Sequence, residues 1–229
     1  MNIANKLSQG LHALQLDIDS PIQTQLLNYL ELLATWNRVY NLTAVREVAQ
    51  MIPKHILDSL AVLPYICGTD ILDVGTGAGL PGLMLAIARP SLQCVLLDSN
   101  AKKIRFVRQA IIELKIKNAE AVCTRVEAFQ PAQKFSTVIS RAYTSMPRFY
   151  TQTARLCAAD GCLLAMKGIY PETEVAEMAN LPVHLKSIPL QVPQLQAQRH
   201  LIVMRPLPGK NLQGLANLQG LARNFSEQL

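Results

Sequence analysis

The spacing of apolar positions divides this chain into two textures. In the first third, Ile22, Leu26, Leu30, Leu33 and Trp36 recur every three or four residues, which predicts one helix through DSPIQTQLLNYLELLATWN. Ser20 is its predicted N-cap, with Pro21 at the first helical position and Gln23 completing a capping box. PKHILDSLAVLPYI predicts a second helix, and the polar stretch NRVYNLTAVRE predicts a turn-rich link between them. From residue 70 short apolar runs alternate with helical patterns. DILDVG precedes LPGLMLAIARP, LQCVLLD precedes AKKIRFVRQAIIELKI, AEAVCT precedes RVEAF, and FSTVIS precedes RAYTSMPRFYTQTARLC, with GCLLAMKG following. Strands and helices alternating through short connections imply parallel crossovers and a doubly wound α/β sheet. After a helix candidate, PETEVAEMAN, the runs VHLKSIPL and RHLIVMRP predict an antiparallel pair.

The expected organisation is a helical extension over 1–66 packed on a core over 67–206, followed by a tail over 207–229. That tail contains NLQGLA twice in tandem, residues 211–222, too few copies for a solenoid. Local duplication and a short amphipathic contact are the two readings of it.

Composition narrows the function classes. Half of the 229 residues are hydrophobic and 17% are charged, which supports a sizeable core and argues against extensive disorder. No apolar run reaches membrane-spanning length, and the N-terminus lacks the pattern of a secretory signal, so a cytoplasmic protein without a membrane partner is expected. The five cysteines form no C-x-x-C pair and the four histidines are scattered; reduced thiols and no metal site are expected. No G-x-S-x-G supports acyl transfer. The net charge of +6 points to an acidic partner.

The densest signal is LDVGTGAGLPG. A buried strand ends at Gly75, and a helix is predicted to start near Pro81 or Gly82. Glycines there permit positive φ and close approach of a ligand to the main chain, and a helix N-terminus favours acceptor groups. Two ligands compete. Gly77-Ala-Gly79-Leu-Pro-Gly82 satisfies the G-x-G-x-x-G of dinucleotide sites, which alone is a weak match. Asp73, Gly75, Gly77 and Gly79 also form the acid-plus-alternating-glycine pattern of methyltransferases. Asp73 separates the two, because a carboxylate repels a pyrophosphate and attracts the ammonium and sulfonium of S-adenosylmethionine. Asp98 ends the second strand, where a carboxylate meets ribose hydroxyls; capping of the following helix is its other reading. No G-K-[ST] follows, so a P-loop is excluded.

Basic residues gather in two places. Lys102, Lys103, Arg105 and Arg108 lie along one predicted helix whose inward stripe is Ile104, Val107, Ile111 and Leu114. A solvated face and a phosphate-binding face are both open readings of it. Arg125, Arg141, Arg148 and Lys167 follow other predicted strand ends, the ligand edge of an α/β sheet, where cations would meet nucleic-acid phosphates. His55 and Asp58 stand three apart on the second helix, either a local pair or part of a face closing over substrate.

The ordered runs WNRVYNLTAV, HILDSL, LDVGTGAGLPGL, LLDSNAKKIRFV, TRVEAF, VISRAYTSM, LLAMKG and RHLIVM span residues 36–204. Together they make the chain resemble the bacterial 16S ribosomal RNA guanine-N7 methyltransferases, also called glucose-inhibited division protein B. The glycine loop is generic to methyltransferases; Asn41-Leu42-Thr43, His55 with Asp58-Ser59, and Ser140-Arg141-Ala142 are more specific. The resemblance implies a class I S-adenosylmethionine-dependent methyltransferase fold: a mostly parallel seven-stranded sheet with helices on both faces. It implies methyl transfer to N7 of one guanine in the decoding region of 16S ribosomal RNA, in the small subunit or an assembly intermediate, by a monomer. By position, Gly75 and Leu80 would line the methionine end of the cofactor, Asp98 the ribose, and Val126 and Glu127 the adenine. Arg141 would face both cofactor and substrate as the catalytic residue. Asn41, His55, Lys102, Lys103, Arg105 and Lys167 are the RNA-contact candidates. Leu80 departs from the phenylalanine common in the family. A nicotinamide-dependent oxidoreductase and a non-catalytic RNA-binding protein are the rival readings.

Overall fold

A computed structural model describes residues 2–207. The tail repeat at 211–222 lies outside the described residues. Helix α1 (Ile3–Ala13) leads into α2 (Ser20–Tyr40). The N-cap of α2 is Asp19, not Ser20: Asp19 Oδ1 accepts from Ile22 N–H at 3.0 Å. Gln23 does not close a capping box; its amide donates to Ile18 O at 2.7 Å. The helix also runs three residues past the expected end at Asn37, stopping where Asn41 turns left-handed at φ 49°. The predicted second helix is broken into pieces, with α3 (Val48–Met51) passing through a π-helical segment (Ile52–Leu57) into α4 (Asp58–Leu60).

The alternating region forms β1 (Asp70–Val74), α5 (Gly82–Ala88), β2 (Gln93–Asp98), α6 (Ala101–Glu113), β3 (Ala119–Cys123), β4 (Phe135–Arg141), α7 (Met146–Thr153) and β5 (Cys157–Lys167). Then come α8 (Glu172–Glu177), β6 (Val183–Pro189) and β7 (His200–Pro206). The RVEAF run folds as a single 3-10 turn, Val126–Ala128, too short for a crossover helix. The sheet has seven strands in the order β3-β2-β1-β4-β5-β7-β6. The first five run parallel, and β7 lies antiparallel between β5 and β6.

Neighbouring residues on each strand point to opposite faces and feed two cores. Ile71, Ile139, Leu164 and Leu201 pack on one side; Leu72, Val138, Leu163 and Ile202 pack on the other. The second side is covered by Met146, Phe149 and Tyr150 of α7. The first is covered by α5 and α6 and also by the N-terminal helices, through Leu7, Leu11, Leu26, Tyr29, Leu30 and Leu33, each at most 1% exposed. Burying a leucine fully stabilises by about 1.5–3 kcal/mol, so this stripe binds the extension firmly to the core. Tyr29 and Trp36 meet Phe106 of α6 edge-on, with ring centroids 6.0 and 5.7 Å away.

Candidate active site

The chain order reverses between β1 and β4, and side-by-side strands that lead away in opposite directions open a crevice at their carboxyl ends. There the main chain of Gly75-Thr76-Gly77 is bare. Gly75 has φ +69°, and a Cβ on it would lie 2.4 Å from the Tyr143 ring, so any other residue would be strained there and would have to displace that ring. Asp73 holds the loop from below. Its Oδ2 accepts from Thr76 Oγ1 at 2.6 Å and from Gly82 N–H at 2.8 Å, tying the loop to the first turn of α5. Gly82 is required at that contact, since a Cβ would fall 2.8 Å from the same oxygen. Asp73 Oδ1 has no partner among the described residues, and burial raises the carboxyl to about 6. From the other side, the buried Tyr29 hydroxyl donates to Ala78 O at 2.6 Å.

The crevice has two lobes that share Gly75, Lys103 and Ala142. The smaller, about 310 Å³, lies over the ends of β2 and β3. Asp98 faces it, with Oδ2 accepting from Gly77 N–H at 3.0 Å and Oδ1 from Asn100 N–H at 2.8 Å. The N-cap of α6 is Asn100 and not Asp98. Val126 and Glu127 line the far wall, where Glu127 Oε1 accepts from Gln152 Nε2 at 2.6 Å and Gln152 Oε1 accepts from the Tyr143 hydroxyl at 3.1 Å.

The larger lobe, about 520 Å³, is lined by cations over the buried acid Asp58. Asp58, with a side chain 3% exposed, accepts from Arg141 Nη1 at 3.1 Å and from Arg199 Nε at 2.8 Å. Arg141 Nη1 also donates to Lys54 O at 3.0 Å, while its Nε and Nη2 find no partner among the described residues. The next residue, Ala142, takes φ 52°, an uncommon left-handed turn for a residue with a Cβ. His55 does not pair with Asp58; its Nε2 lies 2.9 Å from Thr43 Oγ1. Burial first, then the charge of Arg141, lowers His55 to about 4. Thr43 is fixed in turn by Asn37 Oδ1, which accepts from its N–H at 2.9 Å.

Gly75, Gly77, Leu80, Asp98, Val126 and Glu127 thus meet in one crevice with Arg141 and His55. Other expectations are corrected. Asp73 and Gly79 lie under the loop and do not line the crevice, because the fold uses the carboxylate to hold the loop and packs Gly79 on Leu83. Lys103 leaves the surface cluster and turns into the crevice, 3.9 Å from Asp98; Lys102 and Arg105 stay exposed. The Lys167 ammonium is neutralised by Glu174 at 2.8 Å, although its side chain lines the crevice. Asn41 lies outside the lining and accepts from Arg46 Nη2 at 2.7 Å through its side chain.

Arg199, Tyr29 and Gln152 were not expected. Arg199 had a signal: an antiparallel strand presents its beginning, not its end, at the edge where parallel strands finish. The register Lys167↔His200 puts Arg199 there. No cluster of three or more metal-ligating side chains occurs among the described residues, and none of their helices is long and apolar enough to cross a membrane.

Comparison with known proteins gives consistent matches. The family model described as rRNA small subunit methyltransferase G matches residues 22–202. The Ribosomal RNA small subunit methyltransferase G of Laribacter hongkongensis is 48% identical over 202 residues, 88% of this chain and 98% of that protein. The protein of the same name from Legionella pneumophila (strain Corby) is 51% identical over 182 residues, 80% of this chain and 84% of its own. Among solved structures, a SAM-dependent methyltransferase from Aquifex aeolicus superposes with a TM-score of 0.53 at 17% identity, covering 68% of this chain and 92% of that one. DhpI in complex with SAH superposes with a TM-score of 0.52 at 16% identity, covering 82% and 98%. At these identities the two structures speak for the fold, a class I methyltransferase sheet.

Proposed function

This chain belongs to the rRNA small subunit methyltransferase G family, and from that premise we propose that it transfers a methyl group from S-adenosylmethionine to N7 of one guanine in the decoding region of 16S ribosomal RNA. The substrate is the small subunit or an assembly intermediate, and the enzyme works as a monomer in the cytoplasm. The observation that carries this reading is one crevice at the strand ends with two joined lobes, one holding Asp98 and Glu127 beside the glycine loop and the other holding Arg141 and Arg199 over Asp58.

The residues suit the cofactor. Asp98 and Glu127 face the smaller lobe, and buried Asp73 lies under the loop between them. Lys103, Arg125 and Arg148 line the same lobe, so its charges are mixed: the carboxylates suit the hydroxyl and amino donors of an adenosine, and buried Asp73 beneath the loop favours a cationic donor over a diphosphate. Gly75, Gly77 and Leu80 would hold the methionine end, Asp98 the ribose hydroxyls, and Val126 and Glu127 the adenine. When bound, S-adenosylmethionine supplies an electrophilic methyl carbon on a sulfonium.

The guanine N7 carries a lone pair and no proton, so the chain needs no general base. That agrees with His55, which is already hydrogen-bonded and holds its proton weakly. Arg141, anchored through Nη1, keeps Nε and Nη2 to hold guanine O6 and orient N7. Positioning of this kind is worth up to about 7–11 kcal/mol of the barrier. Arg199 and Lys54 at the rim, with exposed Lys102 and Arg105 on α6, would meet phosphates.

The test is transfer of radiolabelled methyl groups onto unmodified small subunits and onto stripped 16S RNA, with the labelled base mapped. Label at N7 of a single guanine is expected. No incorporation into either substrate, or label on another atom, defeats the assignment.

A further inference from the structure

Arg199 lines two concavities. One is the large lobe of the crevice; the other, about 650 Å³, lies between Tyr170 and the segment 189–200, and the reaction above uses none of it. Among the described residues its lining contains no acidic side chain. Tyr170 is 38% exposed, so part of its ring is open to a partner. It meets His200 edge-on with centroids 5.8 Å apart, and His200 Nδ1 lies 2.8 Å from Gly168 O. Gly168 itself lines the crevice, so the ring is held in a set relation to it.

The opposite wall is rich in amides. In the run LQVPQLQAQRH, Gln194 donates to Lys6 O at 2.8 Å, while Gln191, Gln196 and Gln198 are exposed, and their side chains have no hydrogen-bond partner among the described residues. A carboxamide both donates and accepts, which suits the mixed edge of a nucleobase better than an ion. An aromatic face, neutral amides and one arginine together match an unpaired nucleotide: the base stacks, its edge pairs with amides, and its phosphate meets the cation. Arg199 gives Nε to Asp58, an acid it shares with Arg141, and Nη1 to Gln198 O, so Nη2 is the donor left for a phosphate; because Arg199 borders both spaces, that phosphate is the link between two successive nucleotides.

We infer that this concavity is a subsite for the nucleotide flanking the target guanine, with Tyr170 as its stacking face, Gln191, Gln196 and Gln198 reading the base edge, and Arg199 holding the intervening phosphate. The inference rests on the RNA substrate proposed above. It requires the strand at the target to be unpaired and splayed, with one base in each space.

Wild type, Tyr170→Ala and Tyr170→Phe are compared for equilibrium binding to unmodified small subunits, methyl transfer onto them, and cofactor affinity by calorimetry. Loss of one stacked base should weaken subunit binding at least about fivefold, with cofactor affinity unmoved. Tyr170→Phe keeps the ring and should recover most of the loss. The salt dependence of binding should not change, since no charge is removed. Weakening of less than fivefold by Tyr170→Ala overturns the subsite. If Tyr170→Ala loses its cooperative melting transition, the exposed pair Gln196→Ala/Gln198→Ala takes its place under the same threshold. Absence of methyl transfer by the wild type would count against the proposed reaction, while the binding comparison would still decide the subsite.

Discussion

The carboxylate of Asp58 accepts from Arg141 Nη1 at 3.1 Å, although the two residues are 83 positions apart. Asp58 sits on the broken helix before the sheet and Arg141 ends β4, so the bond clamps the N-terminal extension onto the mouth of the crevice. Arg141→Ala should lower methyl transfer at least about a hundredfold, the usual cost of removing an aimed donor, with the melting transition retained. Asp58→Asn keeps an acceptor but removes the charge, and hydrogen bonds to charged groups are worth about 1.5–3 kcal/mol. It should therefore cost about tenfold, less than Arg141→Ala. Steady-state kinetics on unmodified subunits decides, and wild-type rates from folded Arg141→Ala would remove it from the mechanism.

Asp73 and His55 should give opposite pH dependences. Burial raises Asp73 from 3.8 to about 6, so the folded state holds this proton more tightly, and its contribution to stability falls as pH rises across that window. Burial lowers His55 from 6.5 to about 4, so the folded state holds this proton less tightly, and its contribution grows as pH rises from about 4 to 6.5. Relative to wild type, Asp73→Asn should gain stability as pH rises and His55→Gln should lose it. Each slope is bounded by about 1.4 kcal/mol per pH unit. Urea unfolding at several pH values reads both; two flat differences would contradict the burial of these groups.

Tyr29→Phe removes the hydroxyl that holds Ala78 O and leaves a buried carbonyl without its partner. Destabilisation of about 1–3 kcal/mol is expected. Cofactor affinity should fall as well, because the same carbonyl belongs to the glycine loop. Denaturant unfolding and calorimetry measure the two effects separately. An unchanged cofactor affinity in a destabilised protein would show that α2 supports the fold and not the loop.

Lys102 and Lys103 are neighbours with different surroundings. Lys102→Ala should weaken RNA binding and lower the slope of log affinity against log salt by about 1, with no effect on the cofactor. Lys103→Ala should alter cofactor affinity, since its ammonium lies 3.9 Å from Asp98 inside the crevice. Filter binding across a salt series, paired with calorimetry, distinguishes them. Identical behaviour of the two variants would count against this division.

What was legible in the sequence was local. The strand end at Asp98, those at Gly75 and Ser140 to within one residue, the helix face of Leu26, Leu30 and Leu33, and the glycine turn all follow from spacing, because side chains repeat every two residues on a strand and every 3.6 on a helix. Small misreadings were local too. Asp19 outcompeted Ser20 as the cap, and the π-helical turn at Ile52–Leu57 broke a pattern that read as one helix.

The amino-acid sequence by itself determined the seven strands, the bare loop, and a carboxylate placed before and after it. Only the tertiary structure decided how those carboxylates are used: Asp73 bonds inward to Gly82 N–H, while Asp98 faces the crevice. It also decided that Asp58 holds Arg141 and, 141 residues away, Arg199. Spacing along a chain reports which side chains share a face. Which charge meets which across the crevice depends on the order and direction of strands, and here on β7 running antiparallel so that its first residues arrive beside the last of β5.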